Sequence, residues 1–580
     1  MNPWVHHLTV TPLLVVPLVA GAFSFEDPAG PQFTEAERRL QRARGTGVVP
    51  MVRRAFEAGA DSVVIPPGDY RFGKESWGNA GPIYPLEFRG MRRDAAHPFR
   101  IIAEGVTFWF DLPADQTPRA HFALGFADSS HVALEGATLD RDPRGNMEGR
   151  ITQIDDVGNR IEIEAAEGTL VPTSFNGDLN QRLVPFNADG TFCTALYGLQ
   201  RRPGQLRYRD VAQGTGPGRY WVNLDEKSEL LKTNRDPGWR RAYGEAGTLQ
   251  VGDGLSLVYT TTQAIGVIDC TGMRFIGIKI YISKGMAREF GGGGGHLWKG
   301  CYFGPRPVTC QWQGADGFLS GCMERGSTYD GITMLHTTDD VFNINGFWGY
   351  IEEAAGKTIT LHRDHQMPAR PGDWLNFFDG QTGQPVGVAS VDGIDGQVLT
   401  LDRDAVPFAG SIAENPGRQC DGWVIRDSVF TDCYQRLLVQ GGNGGVLRDC
   451  RFVRVGSCVR LHSTFFSKNE GGICRNISIL NNTFEDVAIH TDGATLTVGF
   501  QPLNRKATAP LLTNLVVRDN TFIHPAKHAV EFDLVAGGEI SGNTFHRGGP
   551  EPIRLANCTN VIVRENRAIP GPPASGPDSP

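Results

Sequence analysis

Apolar and polar positions alternate at a short, repeated period in the last third of the chain. Five segments share one form: Asp427-Ser-Val-Phe430, Asp449-Cys-Arg-Phe452, Asn481-Asn-Thr-Phe484, Asp519-Asn-Thr-Phe522 and Gly542-Asn-Thr-Phe545. Each follows an alternating run such as Ile477-Ser-Ile-Leu480 or Leu515-Val-Val-Arg518. The phenylalanines at positions 430, 452, 484, 522 and 545 predict a basic unit of roughly 22 to 23 residues, with two longer copies in the middle. A repeat of this length, made of β-branched strands and Asp, Asn or Gly turns, predicts stacked rungs of a solenoid. Asn and Asp at the turns suit the left-handed backbone region and side-chain ladders. The same texture occurs earlier, in His131–Leu139 and Val267–Ile278. The expected fold is all-β, a right-handed parallel β-helix; a β-sandwich with repeated hairpins is the alternative.

Near the start, Val48 to Ala58 predicts a short helix, followed by Ser62-Val-Val-Ile65 and Pro66-Pro-Gly68. A helix there would cover the open end of a solenoid. Two stretches break the period, 145–258 and 347–412, and each contains a hairpin pattern: Gly149–Asp155 with Arg160–Glu164, and Val388–Ile394 with Gln397–Leu401. These predict two inserted small β-barrels. Insertions in repeat folds gather on one face, often the binding face. The expected organisation is a leader at 1–22, a cap with first rungs at 23–144, central rungs at 259–346, further rungs at 413–568 and a disordered tail at 569–580. The leader reading rests on the apolar stretch Leu8–Val19 and Ala20-Gly-Ala22, although the segment before it has His6 and His7 in place of Lys or Arg. Export would make the protein secreted or periplasmic.

Composition narrows the function classes. The 580 residues carry 56 basic and 64 acidic side chains, a net charge of −8, which gives no footprint for nucleic acid. The 73 glycines exceed the usual roughly 7% share, as a turn-rich repeat requires. Eleven cysteines are too sparse for a disulfide scaffold in a chain this long. Contexts such as Asp269-Cys270, Gly300-Cys301 and Asp449-Cys450 predict small apolar residues stacked in the repeat, not metal ligands. With neither an HExxH pattern nor a calcium loop, no metal or other cofactor is expected. Beyond the leader, no stretch is long enough to span a bilayer. Solenoids with exposed edges often pair, so a homodimer is possible.

Candidate chemistry concentrates between Gly314-Ala-Asp-Gly317 and Thr337-Thr-Asp-Asp-Val-Phe-Asn-Ile-Asn-Gly346. Asp316 and Asp339 stand one basic unit apart in sequence, and strands in adjacent rungs lie about 4.8 Å apart. Asp339 and Asp340 would face opposite sides of a regular strand; a bulge or turn could bring both outward. Crowded carboxyls divide into protonated and ionised forms, the division that glycosidic hydrolysis needs. Arg436 follows Asp340 by one rung if the second insertion is excised. Candidate substrate-binding residues are Glu289, Arg306, Arg436 and Glu470. Trp298, Trp312 and Trp348 flank the acids and could stack on sugar or fill the core. Gly291–Gly295 reads as a turn or close-approach segment, since no phosphate-loop Lys follows.

At these residues the chain resembles glycoside hydrolase family 110, bacterial α-1,3-galactosidases. The resemblance runs from about Phe25 to Arg567. Its landmarks are Val64-Ile-Pro-Pro-Gly-Asp-Tyr70, both insertions, Gly285-Met-Ala-Arg-Glu289, Pro305-Arg-Pro307, Ala315-Asp-Gly317, Asp339–Gly346 and Glu470-Gly-Gly472 with Asn476–Phe484. It implies a β-helix with inserted barrels and removal of terminal α-1,3-linked galactose from glycans with inversion. Asp316 would be the general acid, Asp339 and Asp340 the general-base pair, and no cofactor would be needed. The chain departs from the family pattern at Thr338 and Asn345, where His is expected. A polygalacturonase-type β-helix also has an Asp followed one rung later by an Asp pair, but its Gly-His-Gly and Arg-x-Lys are not found at suitable places. A non-catalytic carbohydrate-binding or adhesin β-helix is the alternative from another class.

Overall fold

The computed structural model describes residues 33–73, 85–111, 121–141, 146–155, 157–166, 182–186, 208–224, 251–258, 262–281, 285–306, 316–362, 367–433, 435–457, 459–464, 470–488, 494–501, 510–525, 527–546 and 551–569. The expected leader at 1–22, Trp312 and the tail from 570 lie outside these residues. Among the described residues, no helix is long and apolar enough to cross a membrane.

Three long parallel sheets wrap one core as a parallel β-helix. The first runs in twelve strands from Ser62–Val64 to Thr559–Arg564, the second in twelve from Gly68–Phe72 to Arg567–Ile569, and the third in eleven from Leu86–Arg89 to Ile553–Ala556. Each rung passes from the first sheet to the second to the third. The repeated motif is the turn between the first two sheets and the strand after it. Its leading residue is left-handed: φ is 52° at Asp427, 55° at Asp449, 52° at Asn481 and 58° at Asp519, which Asp and Asn tolerate and most side chains do not.

The next residue points inward and hydrogen-bonds along the stack. Asn482 Nδ2 donates to Asn520 Oδ1 at 3.0 Å, Asn520 to Asn543 at 3.0 Å and Asn543 to Asn566 at 2.9 Å. The motif phenylalanines pair in register from rung to rung. Their ring centroids are 4.8, 5.1, 5.0 and 5.4 Å apart from Phe430 to Phe545. Burying each side chain stabilises the fold by roughly 1.5–3 kcal/mol. The cysteine expectation concerns the same interior: Cys270, Cys301, Cys322, Cys420, Cys433, Cys450 and Cys474 are buried free thiols.

The open end is covered by two helices, Glu35–Thr46 and Val48–Glu57. Thr34 and Glu37 form a reciprocal cap on the first, and Gly45 lets it approach the sheet, since a Cβ there would meet Arg71 O at 2.2 Å. The pattern predicts the second helix from Val48 and Val52, which are buried. The first has too few apolar positions to be predicted and buries Gln41 and Gly45 instead.

The insertions differ from each other. The second is a closed six-stranded barrel, from Trp348–Ala355 to Ser411–Glu414, with a core including Ile359, Leu375, Phe377 and Leu401. It leaves the coil after the third sheet. Buried Glu414 pins its exit, taking Arg475 Nη2 at 2.9 Å, Asn376 Nδ2 at 3.0 Å and Ile473 N at 3.1 Å. The first insertion is a six-stranded antiparallel sheet from Asn146–Asp155 to Gly254–Val258 with its own core of Met147, Ile151, Ile161 and Val222. Among the described residues no pairing closes it, so the expectation of a barrel is met there only as a sheet. It leaves between the second and third sheets, the corner that carries the candidate acids.

Candidate active site

The corner between the second and third sheets gathers Asp316, Asp339 and Asp340. Asp316 precedes the strand Phe318–Gly321, and the pair precedes Phe342–Asn345 on the next rung. Phe318 pairs with Phe342, so this rung is slightly longer than the basic unit and Asp316 is level with Asp340 rather than with Asp339. Gly317 N donates to Asp340 O at 2.8 Å, which locks the two turns together. Because Asp339 and Asp340 lie in the turn before the strand, they escape its strict alternation. One carboxylate oxygen from each of the three acids lies within 4.8 Å of the other two. Asp340 is buried; Asp316 and Asp339 are half-buried.

Part of the acids' charge is balanced by Arg436 on the following rung, whose Nε is 3.3 Å from Asp340 Oδ1. Three hard oxygen donors are also a set that a divalent cation accepts. The Arg436 guanidinium competes with a cation for Asp340.

Beyond the acids, the outward side of the third sheet mixes polar and apolar residues, with Asn343 and Asn345 only 5% and 1% exposed. The apolar Phe342 and Ile344 point into the coil, and Asn343 and Asn345 point out, with Asn345 Nδ2 donating to Asn343 Oδ1 at 2.9 Å. In register with Asn343 stand Arg288, Leu319, Leu438 and Arg460. His462 follows Arg460 by two positions on the same face. Burial first, then the Arg460 and Arg436 charges, hold the His462 pKa well below the usual histidine range. Below about pH 6.5 the unfolded chain therefore takes up a proton that folded His462 refuses, and stability falls as pH drops. His462→Asn is expected to flatten the loss of stability between pH 7 and pH 5.5 by up to about 1.4 kcal/mol per pH unit. Denaturant titrations of both proteins at the two pH values measure it; equal losses would mean that His462 is charged in the folded chain.

One expected substrate-binding residue belongs to the interior instead. Glu289 lies on the strand Ala287–Phe290, one position out of phase with the outward face, and is 0% exposed. It accepts hydrogen bonds from Trp298 Nε1 at 2.6 Å, Ser320 Oγ at 2.8 Å, Ser327 Oγ at 3.0 Å and Tyr329 Oη at 2.6 Å. That corrects the expectation: no substrate reaches a carboxylate enclosed in the coil, and its neighbour Arg288 is the residue that faces out. Arg306 donates from Nε to Asp140 Oδ2 at 2.7 Å and stacks over Trp109 at 5.3 Å, on the outer side of the second sheet. This buried pair holds Arg306 against the second sheet, ten residues ahead of Asp316 in the chain.

Glu470 is half-buried, and its backbone pairs with Phe347 at the start of the second insertion. Trp298 and Trp348 are core residues. In the Gly291–Gly295 segment, a Cβ at Gly294 would meet Arg325 O at 2.1 Å, a close backbone approach. Arg288, Asn343, Arg460 and His462 were missing from the sequence-derived set. The alternation in Phe342-Asn-Ile-Asn345 and Arg460-Leu-His462 is the signal that could have found three of them.

No protein-family model matches the chain, and no curated protein matches it. Solved structures do. An exopolygalacturonase from Thermotoga maritima is 13% identical, with 90% of this chain and 88% of that one covered and a TM-score of 0.37. The A-module of the Azotobacter vinelandii mannuronan C-5 epimerase AlgE6 is 8% identical over 91% of this chain and 96% of its own, with a TM-score of 0.31. PfbA, a surface adhesin of Streptococcus pneumoniae, is 9% identical over 91% and 88%, with a TM-score of 0.33. These are what the chain is similar to, and at this degree of likeness the chemistry rests on the residues of the site.

Proposed function

We propose that the protein is a glycoside hydrolase that releases terminal α-1,3-linked galactose from a glycan with inversion. The observation that carries the hydrolase reading is the juxtaposition of three carboxylates on two adjacent rungs, with one guanidinium in contact. The galactose and linkage rest on the family 110 resemblance of the motifs around these acids. Asp316 donates a proton to the leaving oxygen. Asp339 or Asp340 takes a proton from water as it attacks the anomeric carbon, and the Arg436 charge favours the ionised form of Asp340.

The spacing bears on stereochemistry. Inverting enzymes typically separate the two carboxyls by about 6.5–9.5 Å and retaining ones by about 5–5.5 Å. Here one chosen oxygen of each acid lies within 4.8 Å of the others, an oxygen-to-oxygen reach that does not by itself choose between the classes. Inversion rests on the family 110 resemblance, in which the Asp339-Asp340 pair activates the water.

Incubation with galactose-α-1,3-galactose, an α-N-acetylgalactosaminide and galacturonan tests the substrate. Galactose release from the first alone supports the proposal. Release from galacturonan alone would replace it with a polygalacturonase reading. The mechanism uses only side chains, so EDTA is expected to leave turnover unchanged; a loss reversed by calcium would reassign the acids as metal ligands.

A further inference from the structure

We propose that the outward face of the third sheet beyond the acids holds a second sugar position, a platform for a neutral hexose on the leaving-group side of the scissile bond. It is built from Phe290 and Phe347, with Arg288 and Glu470 at its ends. The inference rests on the hydrolase reading for the word "leaving-group", but the platform itself rests on its own geometry.

Phe290 stands in register with Gly321 and, one rung further, Asn345. Gly321 makes room for the ring: a Cβ there would lie 3.3 Å from Phe290 and 2.9 Å from Asn345 Oδ1. The Phe290 and Phe347 centroids are 5.5 Å apart and tilted by 53°. Arg288 Cζ is 5.5 Å from the Phe290 centroid. Phe347 pairs with Glu470 through the backbone, and Gly471 permits that approach, since a Cβ there would meet Trp348 Nε1 at 1.8 Å. All four side chains are half-buried. Arg288 and Glu470 form an ion pair neither with each other nor with another described residue. Both nonetheless lie near enough to the Cys322 thiol to act on its ionisation.

A partly exposed aromatic pair binds the apolar C–H face of a sugar. The sugar's rim then needs acceptors and donors together, which a carboxylate and a guanidinium supply. An anionic ligand would be served by the arginine and repelled by Glu470, so the pair fits an uncharged polyhydroxyl unit. From Asp316 to Gly321, and from Asp340 to Asn345, the chain advances five residues, at most about 17 Å along a strand. Because the proposed enzyme removes a terminal unit, a sugar held on this platform, further along the same strands than the acids, belongs to the leaving group.

Saturation-transfer NMR with lactose as the probe tests this without turnover. Wild type is expected to transfer saturation to lactose, and Phe290→Ala to weaken binding about fivefold. Arg288→Met, which keeps the ring, guards against a folding defect and is expected to weaken binding similarly. Lactose that binds both variants as it binds wild type, or that does not bind wild type, would overturn the platform. Absence of α-galactosidase activity in wild type, with lactose binding through Phe290 intact, would overturn the α-galactosidase reading alone.

Discussion

Asp316→Asn is expected to lower turnover of an α-1,3-galactoside by about 10²- to 10⁴-fold, the range a positioned general acid contributes. Asn fills the same volume and keeps the backbone carbonyl that accepts from Met286 N at 3.4 Å. The side chain is half-buried in a turn, so the melting temperature should change little. The loss should be greatest for substrates with poor leaving groups and smallest for aryl galactosides, which leave without a proton. A uniform loss across leaving groups would move the acid role to Asp339 or Asp340. Full activity would remove Asp316 from the mechanism.

Glu289→Gln is expected to cost roughly 3 kcal/mol or more of stability, a large share of what a folded chain has. The wild-type carboxylate accepts from four side chains inside the coil, each bond charge-assisted. A glutamine keeps one acceptor and turns a donor toward other donors. The Ser320, Ser327 and Tyr329 hydroxyls can rotate to accept, but the Trp298 indole cannot. Denaturant unfolding measures the loss. Substrate KM at a temperature where the variant is folded should equal that of wild type. A raised KM with unchanged stability would return Glu289 to the substrate.

The rung repeat was legible because its constraints are local. Left-handed Asp427, Asp449, Asn481 and Asp519 and the phenylalanine stack recur once per rung, and an asparagine ladder joins the later rungs from Asn482 to Asn566. The meeting of Asp316 with the Asp339-Asp340 pair was legible from the same period, although the pairing of Phe318 with Phe342 makes that rung slightly longer and sets Asp340, not Asp339, level with Asp316. Glu289 was misplaced because Ala287-Arg-Glu-Phe290 has apolar residues at both ends of four positions, so alternation does not say which polar residue faces out. The pairing of Arg306 with Asp140 was not legible because the two lie 166 residues apart, across the whole first insertion. The helix Glu35–Thr46 escaped because it packs by close backbone approach at Gly45 rather than by an apolar stripe.

Hydrolysis of a glycosidic bond with inversion by these three acids can be followed by one-dimensional NMR of galactose-α-1,3-galactose during the first minutes of reaction, before mutarotation equalises the anomers. β-Galactose is expected to form first. First appearance of α-galactose would make one acid a nucleophile, and no galactose from a well-folded protein would contradict the α-galactosidase reading.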